Sequence, residues 1–181
     1  MDKYYRSTTI LGVRRKGKIA LGGDGQVTFG DMALKQKAVK VREFETDRGI
    51  ILGGFAGAAA DALTLFDKFE QKLDEFSGDL QRSVVELAKE WRTDKYLRHL
   101  DALLALMDKK RSFIVAGDGN VIEPDGPIVA IGSGGGYAQS AATAFLESSK
   151  SLSAKDITKR SLRIAADLCI YTNDVITVVE S

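Results

Sequence analysis

The chain has 181 residues, a length typical of one compact domain with a substantial core. Its 26 Lys and Arg residues are balanced by 25 Asp and Glu residues, so we expect no nucleic-acid partner. The single cysteine, Cys169, excludes an intrachain disulfide and a multi-cysteine zinc site. The chain has neither a signal peptide nor an apolar run approaching the roughly 18 residues of a membrane helix, so we expect a cytoplasmic protein without a membrane segment.

The first third of the chain predicts paired strands. Residues 8–23 form two apolar stretches around the basic turn at residues 14–18, which indicates a hairpin. The Asp24-Gly25 turn is followed by a polar segment that carries Lys35, Lys37 and Lys40. Further strands are predicted over residues 38–44 and 50–57, and the glycines of the latter indicate close approach by another group.

The middle of the chain predicts two long helices. Over residues 60–76, Leu63, Phe66, Phe69 and Leu73 recur at spacings of three and four residues. Residues 80–107 continue a similar period, which predicts a second helical segment with a break near Thr93.

The last third predicts strands, then two helices, then a strand. Strands are expected at residues 112–116, 121–123 and 128–131, with a turn at residues 117–120. A helix rich in small residues is predicted over residues 137–146. Residues 153–156 have a helix-capping signature that predicts a helix to about residue 171, and residues 175–179 predict a final strand.

This order of elements predicts the fold class. Strands grouped into hairpins favour antiparallel sheets, and two pairs of amphipathic helices need sheets to cover. We therefore predict an α+β fold, a four-layer αββα sandwich. No repeat or linker divides the chain.

The common catalytic arrangements are absent from the sequence. The only histidine, His99, falls in the predicted second helical segment, away from any nucleophile loop. No GxxxxGK[ST] loop for ATP is present, and residues 131–135 fit neither a nucleophile elbow nor a dinucleotide loop. A chemistry that needs no histidine uses an N-terminal hydroxyl or thiol with the α-amine, of pKa about 7.7 to 8.0, as its base.

Several motifs support that chemistry. They are Ser7–Ile10, Gly22–Thr28, Lys40–Arg42, Gly53–Gly57, Asp61–Phe66, Glu86–Asp94, Ala130–Gly135 and Cys169–Asn173. Together, in this order and spacing, they closely resemble the HslV (ClpQ) family of bacterial proteasome-like peptidases. The resemblance covers nearly the whole chain from Thr8 onward.

The resemblance implies an N-terminal-nucleophile hydrolase of the proteasome β-subunit type and a threonine-type endopeptidase. It further implies a homo-oligomer of two stacked hexameric rings and a partner, an HslU-type AAA+ ATPase hexamer, which unfolds protein substrates and would explain why this chain lacks an ATP site. Residues 1–7 would be a leader removed on maturation, and residues 8–181 a single peptidase domain.

The resemblance also assigns roles to residues. Thr8 would be the nucleophile through its hydroxyl and the base through its freed amine, assisted by Asp24 and Lys40. Ser133 would lie beside the threonine, with the oxyanion donor in the region of the next residue, Gly134.

A sodium ion is implied on a final set of residues. Its ligands would be the backbone carbonyls of Ala166, Cys169 and Thr172. The family has glycine where this chain has Ala166, a change that a carbonyl ligand tolerates.

Some alternatives stay open in the sequence. Ser7 precedes the cleavage point, where self-processing threonine hydrolases often have glycine, so leader removal could be autocatalytic or the work of another peptidase. Thr9 is a competing N-terminus, but the match of the Thr-Thr-Ile motif to the family favours Thr8. Without the family, Asp24-Gly25 and Asp118-Gly119 are both simply turn dipeptides. Two rival functions are an N-terminal-nucleophile amidohydrolase acting on a small molecule and a non-catalytic ring subunit.

Overall fold

The computed structural model describes residues 8–29, 32–57, 59–97, 100 and 102–181. The predicted leader and His99 lie outside these residues. The helices within them are α1 (Ala59–Glu75), α2 (Leu80–Thr93), α3 (Gly135–Ser148) and α4 (Ala154–Leu168). The strands are β1 (Thr9–Arg15), β2 (Lys18–Asp24), β3 (Val27–Phe29), β4 (Met32–Lys35), β5 (Val41–Thr46), β6 (Gly49–Gly57), β7 (Ala102–Met107), β8 (Ser112–Ala116), β9 (Val121–Ile122), β10 (Ile128–Gly132) and β11 (Ile176–Glu180). Over this part of the chain, every helix is too short or too polar to cross a bilayer.

The strands form two large antiparallel sheets and a small hairpin. One sheet has the order β10-β1-β2-β11, the other has the order β5-β6-β7-β8-β9, and β3 pairs with β4. In the first sheet Thr9 lies opposite Gly132, and Asp24 lies opposite Ile176. The register therefore gathers the start of β1, the end of β2 and the end of β10 at one edge of the molecule.

Three apolar clusters fill the spaces between four layers. The first, which includes Phe69 and Trp91, packs α1 and α2 on the five-stranded sheet. The second, which includes Ile10 and Met107, lies between the sheets. The third, which includes Leu11, packs α3 and α4 on the four-stranded sheet. Since adjacent residues of a strand point to opposite faces, Ile10 and Leu11 serve different clusters. The predicted αββα sandwich is confirmed.

The prediction of helix over residues 94–107 was wrong. Helix α2 ends at Thr93, and Asp94 Oδ1 accepts the backbone N–H groups of Tyr96 and Leu97, at 2.8 and 2.9 Å. Residues 102–107 form β7, the central strand of the five-stranded sheet. Leu104 packs towards the helices and Met107 towards the other sheet, so both faces of β7 are apolar. A strand buried on both faces lacks the alternation that distinguishes it from a helix.

Smaller differences concern element ends. The hairpin β3–β4 was not predicted, and β5 begins at Val41 rather than at residue 38. Helix α3 is longer than expected, whereas α4 ends at Leu168. The capping box that opens α4 is present, because the Ser153 hydroxyl and the Asp156 carboxylate each accept the other residue's backbone N–H.

Candidate active site

A buried ion pair lies at the gathered edge. The Lys40 ammonium donates to Asp24 Oδ1 at 3.1 Å, and the two side chains are 2% and 0% exposed. Asp24 ends β2, and Lys40 immediately precedes β5, so the pair joins the two sheets. Charged groups this deeply buried are rare unless they are paired.

Burial controls the state of Lys40. Loss of water lowers the pKa of the Lys40 ammonium below its ordinary value of 10.5, although the charge and hydrogen bond of Asp24 act in the opposite direction. The ammonium also donates to the backbone carbonyl of Gln26 at 2.5 Å. The site therefore holds a cation that is less firmly protonated than an exposed lysine.

The Asp24 carboxylate is fixed by other donors. Oδ1 accepts the backbone N–H of Thr9 at 2.7 Å, and Oδ2 accepts that of Gln26 at 2.9 Å and that of Asn173 at 3.4 Å. Donors to the ionised form hold a carboxylate in one orientation. The Thr9 bond links the ion pair to the residue directly after Thr8.

Thr8 is the first described residue, and it is 1% exposed. Its carbonyl oxygen accepts the backbone N–H of Ser133 at 2.9 Å. Gly132 has a φ of 89°, and a Cβ there would lie 2.0 Å from the Thr8 carbonyl oxygen. Only glycine fits this turn, since it combines a positive φ with close approach of another backbone. The Ser133 side chain is on the exposed side.

A second buried contact is made by Thr9, the residue after Thr8. The hydroxyls of Thr9 and Thr172 are hydrogen-bonded with 2.7 Å between their oxygens. A Cβ on Gly134 would lie 2.2 Å from Thr9 Oγ1 and 2.8 Å from Thr172 Oγ1, so the glycine lies directly against this pair. The contact joins β1, the turn after β10 and the loop after α4.

The three residues predicted to bind sodium lie where α4 ends. Ala166 is in its last turn, Cys169 is its C-cap, and Thr172 follows in the loop. Carbonyls at a helix C-terminus lack intrahelical donors, which makes them suitable cation ligands. The Cys169 carbonyl accepts the Thr172 N–H at 3.0 Å, which leaves one of its lone pairs for a cation. The position of these carbonyls is therefore compatible with the predicted sodium ion.

The structure thus brings Asp24 and Lys40 into contact, joins Thr8 to the same carboxylate through Thr9, and places Ser133 against Thr8 through the backbone. Sequence analysis missed Gln26 and Asn173. Gln26 has a local signal, because it stands two residues after the aspartate of an Asp-Gly sequence. An aspartate side chain in such a turn commonly accepts the backbone N–H two residues ahead. Asn173 has no such local signal, because its partners are distant in sequence.

Chemically, the arrangement can stabilise negative charge on an oxygen at the start of β1. A buried ammonium interacts more strongly with a developing anion than an exposed one does, because water screens it less. The backbone N–H of Ser133, in the glycine-rich turn after β10, donates to Thr8, the residue before β1.

Comparison with known proteins agrees with this fold. The sequence pattern of the proteasome subunit family matches residues 4–180. The crystal structure of eukaryotic HslV from Trypanosoma brucei superposes with a TM-score of 0.87 at 42% sequence identity, over 95% of this chain and 98% of that chain. Thiobacillus denitrificans BPH, solved in complex with epoxomicin, superposes with a TM-score of 0.72 over 96% of this chain and 97% of that chain. At 22% identity this last likeness shows the fold alone.

The family match spans nearly the whole chain, and the similarity to HslV extends over almost the full length of both proteins. The chain belongs to the proteasome subunit family, as a subunit of the HslV type.

Proposed function

We propose that this chain is the peptidase subunit of an ATP-dependent two-component protease and that Thr8 is its nucleophile once residues 1–7 have been removed. The observation that carries the proposal is the Asp24 carboxylate, which binds both the Thr9 N–H and the buried Lys40 ammonium. A cation and its counter-ion are therefore held one residue from a threonine that cleavage would make N-terminal.

The reaction uses the groups around Thr8. The freed α-amine takes the proton of the Thr8 hydroxyl, and Oγ1 attacks the carbonyl carbon of the scissile peptide bond. Lys40 stabilises the forming alkoxide, and Asp24 holds Lys40. The ammonium at Thr8 then protonates the leaving amine, which leaves an ester on Oγ1. Water, deprotonated by the same amine, hydrolyses the ester and restores the hydroxyl.

The tetrahedral intermediate needs backbone donors. The Ser133 N–H already donates to the Thr8 carbonyl, so we assign the oxyanion to the N–H of Gly134. We assign the hydroxyl of the exposed residue Ser133 to proton transfer at the Thr8 amine.

A sodium ion on the carbonyls of Ala166, Cys169 and Thr172 would stiffen the loop that contacts Thr9 and Asp24. Neutral carbonyl oxygens are ligands for a hard cation. We expect replacement of sodium by tetramethylammonium to lower the melting temperature of the assembled protein and its peptidase rate together. Equal rates and melting temperatures in the two salts would remove the sodium ion from the proposal.

The assembly belongs to the same proposal. Two hexameric rings of this chain would enclose the active sites, and an HslU-type AAA+ hexamer would unfold substrates and feed them in, within the cytoplasm. The relative with 42% identity is itself named as an HslV, which supports this function over a small-molecule amidohydrolase. The intact Asp24–Lys40 pair argues against a non-catalytic ring subunit.

The test begins with the intact mass of the purified protein, which should correspond to loss of residues 1–7. Thr8→Ala should abolish hydrolysis of a small peptide while the oligomer remains intact, because alanine has no hydroxyl that could act as the nucleophile. Thr143→Ala, which removes an exposed helical hydroxyl, is the control and should leave the rate unchanged.

Three outcomes separate the possible functions. Peptide hydrolysis without ATP, with folded protein degraded only when the ATPase and ATP are added, supports the proposal. Peptide hydrolysis that the ATPase never extends to proteins favours the amidohydrolase. A leader still attached in the assembled protein, or full activity in Thr8→Ala, would remove Thr8 from the mechanism.

A further inference from the structure

Asn173, in the loop after α4, makes several polar contacts around the ion pair. Its Oδ1 accepts the backbone N–H of Gly25 at 3.0 Å, and its Nδ2 donates to the carbonyl oxygen and to Oε1 of Gln36, at 2.9 and 2.8 Å. Its backbone N–H donates to Asp24 Oδ2 at 3.4 Å. One side chain thus joins the turn after β2 to the segment after β4.

Those two segments already lie against each other. A Cβ on Gly25 would lie 2.3 Å from the Gln36 carbonyl oxygen, so the backbones meet with no space between them. The Ala38 N–H donates to the Gly25 carbonyl at 2.9 Å. Asn173 closes this contact from the side, which makes Gly25, Gln36 and Ala38 one hydrogen-bonded unit.

The unit leads directly to Lys40. Lys40 follows Ala38 by two residues, which can span at most about 7 Å. On the far side the Lys40 carbonyl accepts the Phe55 N–H at 3.1 Å. The backbone of Lys40 is therefore fixed at both ends, by β6 on one side and by the Asn173 contact on the other.

Asn173 is itself held by the sheet. Its Oδ1 also accepts the Val175 N–H at 3.3 Å, and β11 begins at the next residue and pairs with β2 from Ile176 opposite Asp24. The Val175 bond is a local turn bond that needs only an acceptor. The Nδ2 donor does not contribute to that turn, and its acceptors are 137 residues away in the sequence.

We propose that Asn173 is a positioning residue, whose side-chain amide holds the segment carrying Lys40 against the turn carrying Asp24 and so sets the distance between ammonium and carboxylate. This rests on the proposed function, in which that ion pair assists Thr8. A misplacement of about 1 Å in such a site can cost about 100-fold in rate. The side-chain amide of Asn173 makes no described hydrogen bond to Thr8. We therefore expect the loss of this amide to change kcat rather than KM.

The experiment uses the mature, assembled protein and a small peptide substrate. Asn173→Ala should lower kcat about 10-fold to 100-fold with KM unchanged within about twofold. Asn173→Asp keeps the shape and the Oδ1 acceptor but turns the donor into an oxygen facing two oxygens of Gln36, so it should resemble Asn173→Ala. Asn120→Ala is the control, because its Nδ2 donates only within the exposed turn between β8 and β9, and kcat should stay at the wild-type value.

A pair of changes at the exposed Gln36 decides the matter if Asn173 variants fail to assemble. Gln36→Leu removes the Oε1 acceptor, so kcat should fall about twofold to fivefold in this variant. Gln36→Glu retains the acceptor, so its kcat should equal that of wild type. A role in packing alone would predict no difference between them.

The proposal is overturned if kcat in Asn173→Ala equals that of wild type, or if Gln36→Leu and Gln36→Glu give equal rates. Failure of the proposed function is distinguishable, since Thr8→Ala would then keep its activity whatever the Asn173 variants do.

Discussion

Two of the three Asp-Gly sequences in the chain, at Asp24 and at Asp118, form turns that have the same local hydrogen bond and different surroundings. Asp24 Oδ2 accepts the N–H two residues ahead at 2.9 Å, and Asp118 Oδ1 does the same at 3.0 Å. Asp118 is exposed, and its other oxygen bonds the side chain of Asn120. Asp24 is 1% exposed, and its other oxygen bonds Thr9 and Lys40.

The difference is one of position in the fold. The turn at Asp118 connects two strands at the edge of the five-stranded sheet, where solvent reaches it. The turn at Asp24 leaves a central strand of the other sheet at the edge where β1 begins. The Asp-Gly sequence thus specifies the backbone of both turns. Only the packing of distant residues around Asp24 makes its carboxylate the counter-ion of Lys40.

The largest effect expected from this comparison is on catalysis. Asp24→Asn should lower the peptidase rate about 100-fold or more, the scale of a single preorganised electrostatic group, because Lys40 loses its counter-ion. It should also lower the free energy of unfolding by about 3 kcal/mol, since a buried charge is left unpaired. Asp118→Asn should leave the rate unchanged and the unfolding free energy within about 0.5 kcal/mol.

Initial rates and denaturant unfolding of the two variants check this directly. Equal losses in both, or a fully active Asp24→Asn protein, would show that the two turns do not differ in function and that the buried pair is only structural.

Much of the fold could be predicted from periodicity. The hairpin of β1 and β2, helix α1 and the capped start of α4 all carry local signals in the sequence. Residues 102–107 could not be assigned, because Leu104 and Met107 face different apolar layers and the run has no alternation. The alanine, leucine and methionine residues of this run have high helix propensity, and they favoured the prediction of a helix.

The candidate site could be predicted only through the family resemblance. From the residues alone, Asp24 was in one of three Asp-Gly turn sequences, and Lys40 was one of several lysines in a polar segment. Their contact joins two sheets, and pairing between sheets has no signature along the chain. Asn173 ends one of the family motifs but was given no role, since its partners Gly25 and Gln36 are set by the packing of β11 beside β2.

A smaller effect that should distinguish the two turns is a shift in the dependence of activity on pH. Burial lowers the pKa of Lys40 below 10.5, so in the proposed mechanism activity should fall at alkaline pH as the ammonium loses its proton, with a midpoint below 10.5. Between that pKa and 10.5 the unfolded state binds more protons at this residue, so its contribution to the free energy of unfolding rises with pH. The alkaline loss is therefore not an unfolding effect of Lys40.

Asp24 raises the pKa of Lys40, and it is the ionised group in contact with Lys40 among the described residues. Asp24→Asn removes that contribution, so the alkaline limb of its residual activity should move to lower pH, whereas Asp118→Asn should leave the limb where it is in wild type. Profiles of kcat/KM measured at high enzyme concentration resolve the residual rate. An alkaline limb that stays in place in Asp24→Asn would mean that it reports a group other than Lys40, and the ammonium would then have no part in activating Thr8.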